Sequence, residues 1–446
     1  MKILYISQYF PPEMGAPAAR VSELARHWVQ AGHQVTVLTG FPNHPTGIVP
    51  PEYRTKLRRL VHREQKDGVN IVRTWLIPRP NRKAHERLLN YLSFALSACI
   101  TGTFLSRPDV VIATSPQLFV GLTGRWLGWI KRVPFILEVR DLWPDSITAS
   151  GMGSDADLSI RSLRALSALL YRSCDHLVVV SPAFKQELVA KWHVHPEKIS
   201  LVENGVETDL FTPDNADSAK SELGFENKFV ASYIGTLGLA HGLQTVLQAA
   251  SRLQDAFPEI RFLFVGEGAD KDRLVSLVED LKLTNVRFLP QLPRQKIPSI
   301  IRASDVCLVL LKKASVFETV IPTKMLEFMA SGRPVILGVD GQARQLIETA
   351  RAGVSIEPEN PAALAQAVTQ LYLAAGLRKA LGDNGRRYIV QNLSRAQTAE
   401  TYLSVLEKLR RPEVRDQRSD VRREDRKPDF SHQPTGNKED QISGRF

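Results

Sequence analysis

The sequence contains 446 residues, of which 43% are hydrophobic and 24% charged, a composition typical of a globular chain too long for a single hydrophobic core. Its three cysteines (Cys99, Cys174 and Cys307) lie far apart, which excludes a zinc module or a disulfide-stapled domain. The N-terminal apolar run is too short for a signal peptide, so a reducing cytoplasmic location is expected, and the net charge of +11 favours anionic partners.

The first half of the chain alternates apolar strands with helical patterns. Near-continuous apolar strands separated by helices predict a parallel sheet that is covered on both faces. The predicted strands read KILYIS, QVTVLT, NIVRTW, DVVIATS, PFILEV, HLVVVS and ISLVEN, and helices are indicated over 19–31 and 182–192 among others.

Most of the excess positive charge lies in the window 54–87, which holds 11 basic and 3 acidic residues. A solvated basic loop and a surface attracted to anionic lipid both fit this pattern. Nucleic acid is not expected as a partner, because no aromatic side chains suited to base stacking alternate with the charges.

An uncharged stretch, 88–106, follows the basic window directly. Its length is close to that of a membrane span, but its serines and threonines disfavour one. The strongest apolar positions (Leu89, Leu92, Leu96 and Cys99) recur at helical spacing, which predicts a helix docked on the sheet through these side chains, with or without one edge facing a membrane.

The second half repeats the alternation of strands and helices. Its predicted strands are FVASYIG, IRFLFVG, VRFLP, VCLVLL, PVILGV and GVSIEP, with helices over 242–256, 270–282, 323–331 and 361–374. The composition turns polar around 204–220, which predicts a domain boundary there. We therefore expect one domain over 1–205, a second over 206–394, a last helix over 395–411, and a charged, disordered tail over 412–446.

Three loops follow predicted strands and carry small residues where a ligand can approach the backbone. Gly15 and Ala16 follow the first strand, Gly235 to Gly242 follow the first strand of the second half, and Gly266 follows the next. Each leads towards a helix start, where N–H groups suit an anion. No GxGxxG with a distant acidic residue and no GxxxxGK[ST] occurs, so neither a nicotinamide dinucleotide nor Walker-type ATP hydrolysis is indicated.

The segment FETVIPTKMLEFMASGRPVI, 317–336, places a polar stripe on a short helix between two apolar strands. The stripe contains Thr323, Lys324, Glu327 and Ser331, and Glu318 precedes it. A solvated helix face with an ion pair at i, i+3 spacing explains the stripe without any function, and a ligand site is the alternative.

Several motifs together resemble the group 1 (family 4) glycosyltransferases of the GT-B fold over residues 1 to about 410. These motifs are YFPPEMGAPAARVSELARHWVQAGHQVTVLTG, RDLWPDS, LVENGVETDLF, IRFLFVGEG with VRFLPQLP, SDVCLVLL and PTKMLEFMASGRPVI. The pieces QYFPPEMGAP, EVRDLWPDSI and FETVIPTKMLEFMASGRPVI are similar to the subgroup that adds L-fucosamine-type sugars in O-antigen and capsule assembly.

The resemblance implies an α/β architecture of two doubly wound, Rossmann-like domains that face each other across a cleft, with the C-terminal helix crossing back to the N-terminal domain. It implies that Glu327 accepts hydrogen bonds from the donor ribose and that Lys324 meets the donor diphosphate. The implied donor-binding set is Gly15, Ala16, Gly235, Thr236, Gly238, His241, Gly242, Gly266, Pro290, Gln291, Thr323 and Glu327.

The chain departs from the family pattern at several of these positions. Thr319 stands where the family has a glutamate, with Glu318 adjacent, and Thr236 and His241 stand where many members have an arginine and a lysine. Arg140 replaces a frequent histidine before Asp141, where a structural pairing and contact with an anionic substrate are both open. The implied catalytic residues are Lys324, Asp141 and Glu318, and the implied acceptor-side residues are Arg20 and Arg140.

The resemblance further implies glycosyl transfer with retention of configuration, without a metal or cofactor. The expected donor is a UDP-N-acetylamino sugar such as UDP-L-FucNAc, and the expected acceptor is a lipid-linked glycan or oligosaccharide. Residues 54–106 are expected to contact an anionic membrane at the cytoplasmic face. An inactive glycosyltransferase-like membrane scaffold and a GT-B sugar-nucleotide epimerase are the alternatives. Release of nucleoside diphosphate from a donor separates a transferase from the scaffold, and interconversion of the donor without acceptor would indicate the epimerase.

Overall fold

A computed structural model describes residues 1–44, 46–80, 83–115, 117–145, 157–214 and 216–410. The predicted tail 412–446 lies outside these residues. Two sheets organise the described chain, with strand orders β3-β4-β2-β1-β5-β6-β7-β8 and β11-β10-β9-β12-β13-β14. The strands are β1 (Lys2–Ile6), β2 (Gln34–Gly40), β3 (Val61–Lys66), β4 (Val69–Thr74), β5 (Val110–Thr114), β6 (Phe135–Val139), β7 (His176–Val179), β8 (Ile199–Leu201), β9 (Phe229–Ile234), β10 (Ile260–Val265), β11 (Val286–Leu289), β12 (Val306–Leu310), β13 (Val335–Gly338) and β14 (Gly353–Ser355).

Helices connect the strands and cover both sheets. They are α1 (Ala16–Gln30), α2 (Pro51–Leu57), α3 (Ala84–Thr103), α4 (Leu118–Lys131), α5 (Leu158–Ser173), α6 (Pro182–Ala190), α7 (Ala216–Leu223), α8 (Gln244–Leu253), α9 (Lys271–Asp280), α10 (Ile297–Ala303), α11 (Thr323–Ala330), α12 (Gln342–Ala350), α13 (Pro361–Leu373), α14 (Ala375–Asn392) and α15 (Arg395–Leu409). Short 3-10 turns occupy Pro196–Lys198, Leu239–His241, Arg294–Lys296 and Ser315–Thr319.

The apolar strands are buried on both faces because neighbouring side chains in a strand point to opposite sides of the sheet. In β1, Leu4 and Ile6 join one core with α3, α4 and α5, whereas Ile3 and Tyr5 join a second core with α1 and α15. The second sheet is covered on both faces in the same way. The predicted α/β fold class, with two doubly wound parallel sheets, is confirmed.

The last helix returns to the first sheet, as predicted. Tyr402 of α15 packs edge-on against Trp28 of α1, with ring centroids 5.2 Å apart. The indole N–H of Trp28 donates a hydrogen bond of 3.1 Å to the carbonyl oxygen of Ala399. A helix from the far end of the chain thus completes the core of the first domain.

Part of the basic window is regular structure and not the solvated loop that was one of its two interpretations. Strand β3 pairs antiparallel with β4 and forms the edge of the first sheet. Arg73 of β4 is buried, donates 2.7 Å to Glu64, and also donates to the carbonyl oxygens of Gly40 and Pro11. One of the window's cations therefore stabilises the fold from within.

The orientation predicted for α3 is wrong. Leu89, Leu92 and Leu96 are exposed by 41%, 44% and 66%, and the helix packs inward through small or polar residues together with one phenylalanine. The buried residues are Asn90, Ser93, Phe94, Ala95, Ala98 and Gly102.

Helix α3 takes this orientation because it approaches α4 closely. A Cβ at Gly102 would lie 2.4 Å from a methyl group of Leu127, so only glycine lets α3 and α4 touch there. The side chains of Asn90 and Ser93 form hydrogen bonds with the backbone of Ile77. In the part of the chain that the structure describes, no helix is long and apolar enough to cross a membrane.

The free energy of unfolding of variants on the two sides of α3 tests the orientation of this helix. Gly102→Val should overpack the contact with Leu127 and lower the free energy of unfolding by about 1–3 kcal/mol. Leu96→Ser, on the exposed side of the same helix, should change it by only about 0.5 kcal/mol. Urea unfolding compares the two variants, and a larger loss for Leu96→Ser would contradict the orientation of α3.

Candidate active site

The carboxyl ends of β9 and β10 meet in a tight backbone contact. Gly235 and Gly266 have φ values of 139° and 148°, which side chains rarely adopt. A Cβ at Gly266 would lie 1.9 Å from the carbonyl oxygen of Gly235. The fold therefore brings these two predicted glycines together. Their close approach and their φ values explain why both positions need glycine.

The loop after β9 contains four further predicted donor residues. The carbonyl oxygen of Thr236 accepts a 2.8 Å hydrogen bond from the Tyr233 hydroxyl. Gly238 precedes the 3-10 turn that carries His241, and Gly242 follows it with φ 57°. The ring nitrogen Nδ1 of His241 lies 3.2 Å from the carbonyl oxygen of Leu310. Burial, together with the charge of Lys324, lowers the pKa of His241 to about 3, so this ring is neutral at physiological pH.

Helix α11 presents its polar side towards this loop. Its apolar side chains, Met325, Leu326, Phe328 and Met329, are buried, whereas Thr323, Lys324 and Glu327 lie on the partly exposed side. The Nζ atom of Lys324 lies 3.8 Å from the centroid of the Tyr233 ring. A Cβ at Gly235 would lie 3.5 Å from the same Nζ.

The ammonium group of Lys324 is strongly desolvated. Burial lowers the pKa of Lys324 to about 7, and the Glu327 carboxylate acts in the opposite direction. A ring face attracts a cation but supplies no full negative charge. A diphosphate at the loop would supply that charge, so the arrangement suits an anion.

Glu327 pairs with an arginine that the sequence did not single out. Its Oε1 atom accepts a hydrogen bond of 2.9 Å from Nη1 of Arg294, in the 3-10 turn after β11. Burial raises the pKa of Glu327, and Arg294 opposes this shift. The ion pair within the helix, one of the two interpretations of the stripe, is thus replaced by a pair between two segments of the second domain.

Arg294 continues this contact into the first domain. Its Nη2 atom donates 2.7 Å to Oε1 of Glu23 in α1, and Nε of Arg395 donates 2.9 Å to the other oxygen of Glu23. Glu23 and Arg395 are buried. A chain of alternating charges therefore joins the candidate ribose site to both domains.

A second group of predicted residues lies next in sequence to residues that line a cavity. Arg140 and Asp141 follow β6, and Glu318 lies in the 3-10 turn after β12. The segment after β7 contacts this turn, because the Ser181 hydroxyl donates 3.0 Å to the carbonyl oxygen of Thr319. The cavity has a volume of about 740 Å³ and is lined by Leu142, Asp145, Arg164, Glu187, Lys191, Trp192, Ala314, Ser315, Val316 and Thr319.

Arg140 has unused hydrogen-bond donors. Burial lowers the pKa of Arg140 to about 10, although Glu138 acts to raise it. Within the described residues, its buried Nε and Nη1 atoms have no hydrogen-bond partner. Glu138 instead accepts 3.0 Å from Nε of Arg20 and 2.6 Å from the hydroxyl of Tyr5. Of the two interpretations of Arg140, contact with an anionic group fits these atoms better.

Arg20 does not face an acceptor, and the prediction for this residue is wrong. Its guanidinium is buried and is satisfied by Glu138, by Asn204 and by the carbonyl oxygens of Val202 and Glu203. Burial of Arg20 could not be read from the sequence, because its partners Glu138 and Asn204 lie 118 and 184 residues away. Arg20 instead stabilises the core of the first domain.

The remaining predicted residues occupy strand ends outside these contacts. Gly15 and Ala16 are exposed at the start of α1, and Pro290 and Gln291 follow β11, three to four residues before Arg294. Their roles in donor binding stay predictions.

Two family models match the two halves of the chain. Residues 15–205 match the glycosyl transferase 4-like domain, and residues 214–388 match the glycosyl transferases group 1. Together the matches include both candidate regions.

Relatives among curated proteins cover most of the chain at modest identity. A putative colanic acid biosynthesis glycosyl transferase of Escherichia coli (strain K12) is 25% identical and covers 84% of this chain and 92% of its own length. A probable glycosyltransferase of Pseudomonas aeruginosa is also 25% identical, over 66% of this chain and 74% of its own length.

Solved structures share the fold. Sucrose-phosphate synthase from Thermosynechococcus elongatus superposes with a TM-score of 0.73 at 19% identity, covering 91% of this chain and 98% of that one. HepE of Anabaena, in complex with UDP and glucose, superposes with a TM-score of 0.69 at 17% identity, covering 92% and 100%.

The charge chain between the domains predicts a strong effect at Glu23. Glu23→Gln leaves two guanidinium groups facing a neutral partner and should lower the free energy of unfolding by about 3–5 kcal/mol. Asp383→Asn is the control, because Asp383 pairs with Lys379 at an exposed position of α14. That control should cost less than about 1 kcal/mol. Equal losses in urea unfolding would show that the chain of charges is absent in solution.

Proposed function

The chain belongs to the group 1 glycosyltransferases of the GT-B fold, and from this premise we propose that it transfers a sugar, with retention, from a UDP-N-acetylamino sugar such as UDP-L-FucNAc. The acceptor is a lipid-linked glycan or oligosaccharide of a surface polysaccharide. The single observation that carries the proposal is the position of Lys324, a desolvated cation between the Tyr233 ring and the loop at Gly235.

Lys324 and the start of α11 bind the donor diphosphate. The helix dipole and the first backbone N–H groups favour an anion at Thr323, and the N–H groups around Gly238 and Gly242 add further donors. Glu327, one turn along the same face, accepts hydrogen bonds from the ribose hydroxyls, since an ionised carboxylate only accepts. Arg294 must then share Glu327 with the ribose or release it.

The uridine nucleotide is supported by a structural neighbour, because the HepE protein of Anabaena was solved with UDP and with UDP-glucose. The amino sugar is supported by the motif resemblance at 317–336. A colanic acid biosynthesis protein among the relatives supports a polysaccharide product.

The reaction breaks the bond between the sugar and the diphosphate and forms a bond from the same face of the sugar to an acceptor oxygen. Lys324 and the loop N–H groups stabilise the leaving diphosphate in place of a metal ion, which is the role of electrostatic preorganisation. Asp141 orients the acceptor hydroxyl or takes its proton. Glu318 contacts the donor sugar from the second domain, near the cavity of about 740 Å³.

The lipid-linked acceptor places the enzyme at the cytoplasmic face of a membrane. Residues 54–106 contact anionic lipid, because the basic window and the exposed leucines of α3 lie in that range. The unpartnered Nε and Nη1 atoms of Arg140 suit the anionic diphosphate of a lipid carrier.

Donor turnover tests the function. Release of UDP and formation of a glycosylated product are measured with UDP-, GDP- and dTDP-sugars, and turnover is expected only with UDP-sugars. Glu327→Gln should weaken donor affinity by about 1–3 kcal/mol, because charge-assisted hydrogen bonds to the ribose are lost. Asp383→Asn should leave affinity unchanged. Conversion of the donor without UDP release would indicate an epimerase, and no turnover with any donor would indicate an inactive scaffold.

The pKa of Lys324 predicts a pH dependence of donor binding. Because its pKa is about 7, Lys324 loses its charge as the pH rises through neutrality, and affinity for UDP-N-acetylglucosamine should fall between about pH 7 and 9. Binding at pH 8 should also take up a proton, since the diphosphate favours the charged amine. Calorimetry in buffers of different ionisation enthalpy measures both effects. Lys324→Met should bind weakly at all pH values, and a persisting pH dependence in that variant would assign the effect to another group.

A further inference from the structure

Helices α3 and α4 expose an apolar face that is unusual for a surface. Nine large apolar side chains on or next to these neighbouring helices are each at least 40% exposed. We name this set the α3–α4 face. It consists of Leu88, Leu89, Leu92, Leu96, Ile100, Phe104, Trp126, Trp129 and Ile130.

The two helices hold this face as one continuous surface. Leu89, Leu92, Leu96, Ile100 and Phe104 recur every three or four residues, so they form one stripe along α3 and past its end. The stripe points outward because the small residues of α3 point inward. A patch of this kind marks an interaction site, whereas scattered exposed leucines do not.

The tryptophans continue the stripe where α3 ends. Nε1 of Trp126 donates 3.0 Å to the Thr103 hydroxyl, and the rings of Trp126 and Trp129 lie 5.4 Å apart. Trp129 is 70% exposed and Phe104 is 82% exposed. Tryptophan is the side chain that favours the boundary between lipid headgroups and acyl chains.

The charged side chains within the two segments that carry this face are all basic, and Glu86 and Asp109 are the acidic residues that flank the first segment. No acidic residue occurs from 88 to 107 or from 117 to 135, and the charged side chains in these segments are Arg107, Arg125, Lys131 and Arg132. Three of these cations surround the tryptophans along α4 and at its end, and Lys131 donates to the carbonyl oxygens of Thr103 and Leu105. An apolar face whose own segments carry only basic charges complements an anionic lipid surface.

We propose that the α3–α4 face inserts into the interface of an anionic bilayer, with Trp126 and Trp129 at headgroup level and the leucine stripe against the acyl chains. This extends the proposed contact at 54–106 to α4 and changes its nature from charge attraction to insertion. Only the role of this insertion, which is to bring the cleft to a lipid-linked acceptor, rests on the proposed function.

A second copy of the chain fits the α3–α4 face less well than lipid does. A two-fold dimer places the same patch of each copy against the other. The four basic residues of each face would then lie together without carboxylates to neutralise them. Lipid phosphates neutralise them instead.

The experiment measures binding of the full-length protein to vesicles of phosphatidylcholine with about one quarter phosphatidylserine. The triple variant Leu96→Ser, Ile100→Ser, Trp129→Ser should lower the partition coefficient by about tenfold or more, because apolar surface no longer enters lipid. The control Leu373→Ser, Leu377→Ser changes two exposed leucines of the second domain and should bind like the unmodified protein. Circular dichroism checks that each variant is folded.

Quenching by brominated phosphatidylcholine measures how deeply the tryptophans enter the bilayer. Quenching of tryptophan fluorescence is expected in the unmodified protein, and Trp126→Phe, Trp129→Phe should remove the quenching while vesicle binding largely persists. Part of the binding should survive high salt, since insertion is not screened.

Three outcomes would overturn the proposal: no vesicle binding, binding that salt abolishes without any quenching, or a dimer that the triple variant converts to monomer without vesicle binding. None of these measurements needs a donor or an acceptor. UDP release from UDP-sugars is measured separately in the triple variant, so failure of insertion and failure of glycosyl transfer are distinguishable.

Discussion

The desolvation of one cation, the partly exposed Lys324, is the constraint on which the candidate site depends. Its ammonium group lies over the Tyr233 ring, beside a loop that contains glycine where the backbone approaches most closely. Desolvation makes the charged form costly until an anion arrives. The neutral His241 nearby adds no competing charge. The proposed diphosphate would supply the negative charge that this site lacks.

The second feature is the path from this site to the other domain. Glu327, the proposed ribose ligand, shares Arg294 with Glu23, and Glu23 is also held by Arg395 of the returning helix. A ribose at Glu327 would therefore compete with Arg294, the residue that also contacts Glu23 of the first domain. The proposed ribose contact and the contact between the domains thus share one side chain, Arg294.

The sequence predicted those features that depend on a local pattern of residues. It did not predict those that depend on partners far away in the chain. The continuous apolar strands were sufficient for the parallel sheets, because both sheet faces are covered. The orientation of α3 could not be read from its leucines, since the close approach at Gly102 and the hydrogen bonds of Asn90 and Ser93 decide which side packs inward.

The candidate site shows the same division. The polar stripe of α11 was visible because it interrupts an apolar pattern. Arg294 was not, because its partner Glu23 is 271 residues away in sequence and nothing in the surrounding segment marks it. Arg20 was assigned to the acceptor side, whereas its guanidinium pairs with Glu138 and Asn204 inside the first domain.

A crystal structure of the protein with UDP tests the central claim most directly. The account predicts the diphosphate within hydrogen-bond distance of Nζ of Lys324, and both ribose hydroxyls on the Glu327 carboxylate, with Arg294 moved or shared. UDP bound elsewhere, with the pair between Glu327 and Arg294 intact and Lys324 still against Tyr233, would contradict it.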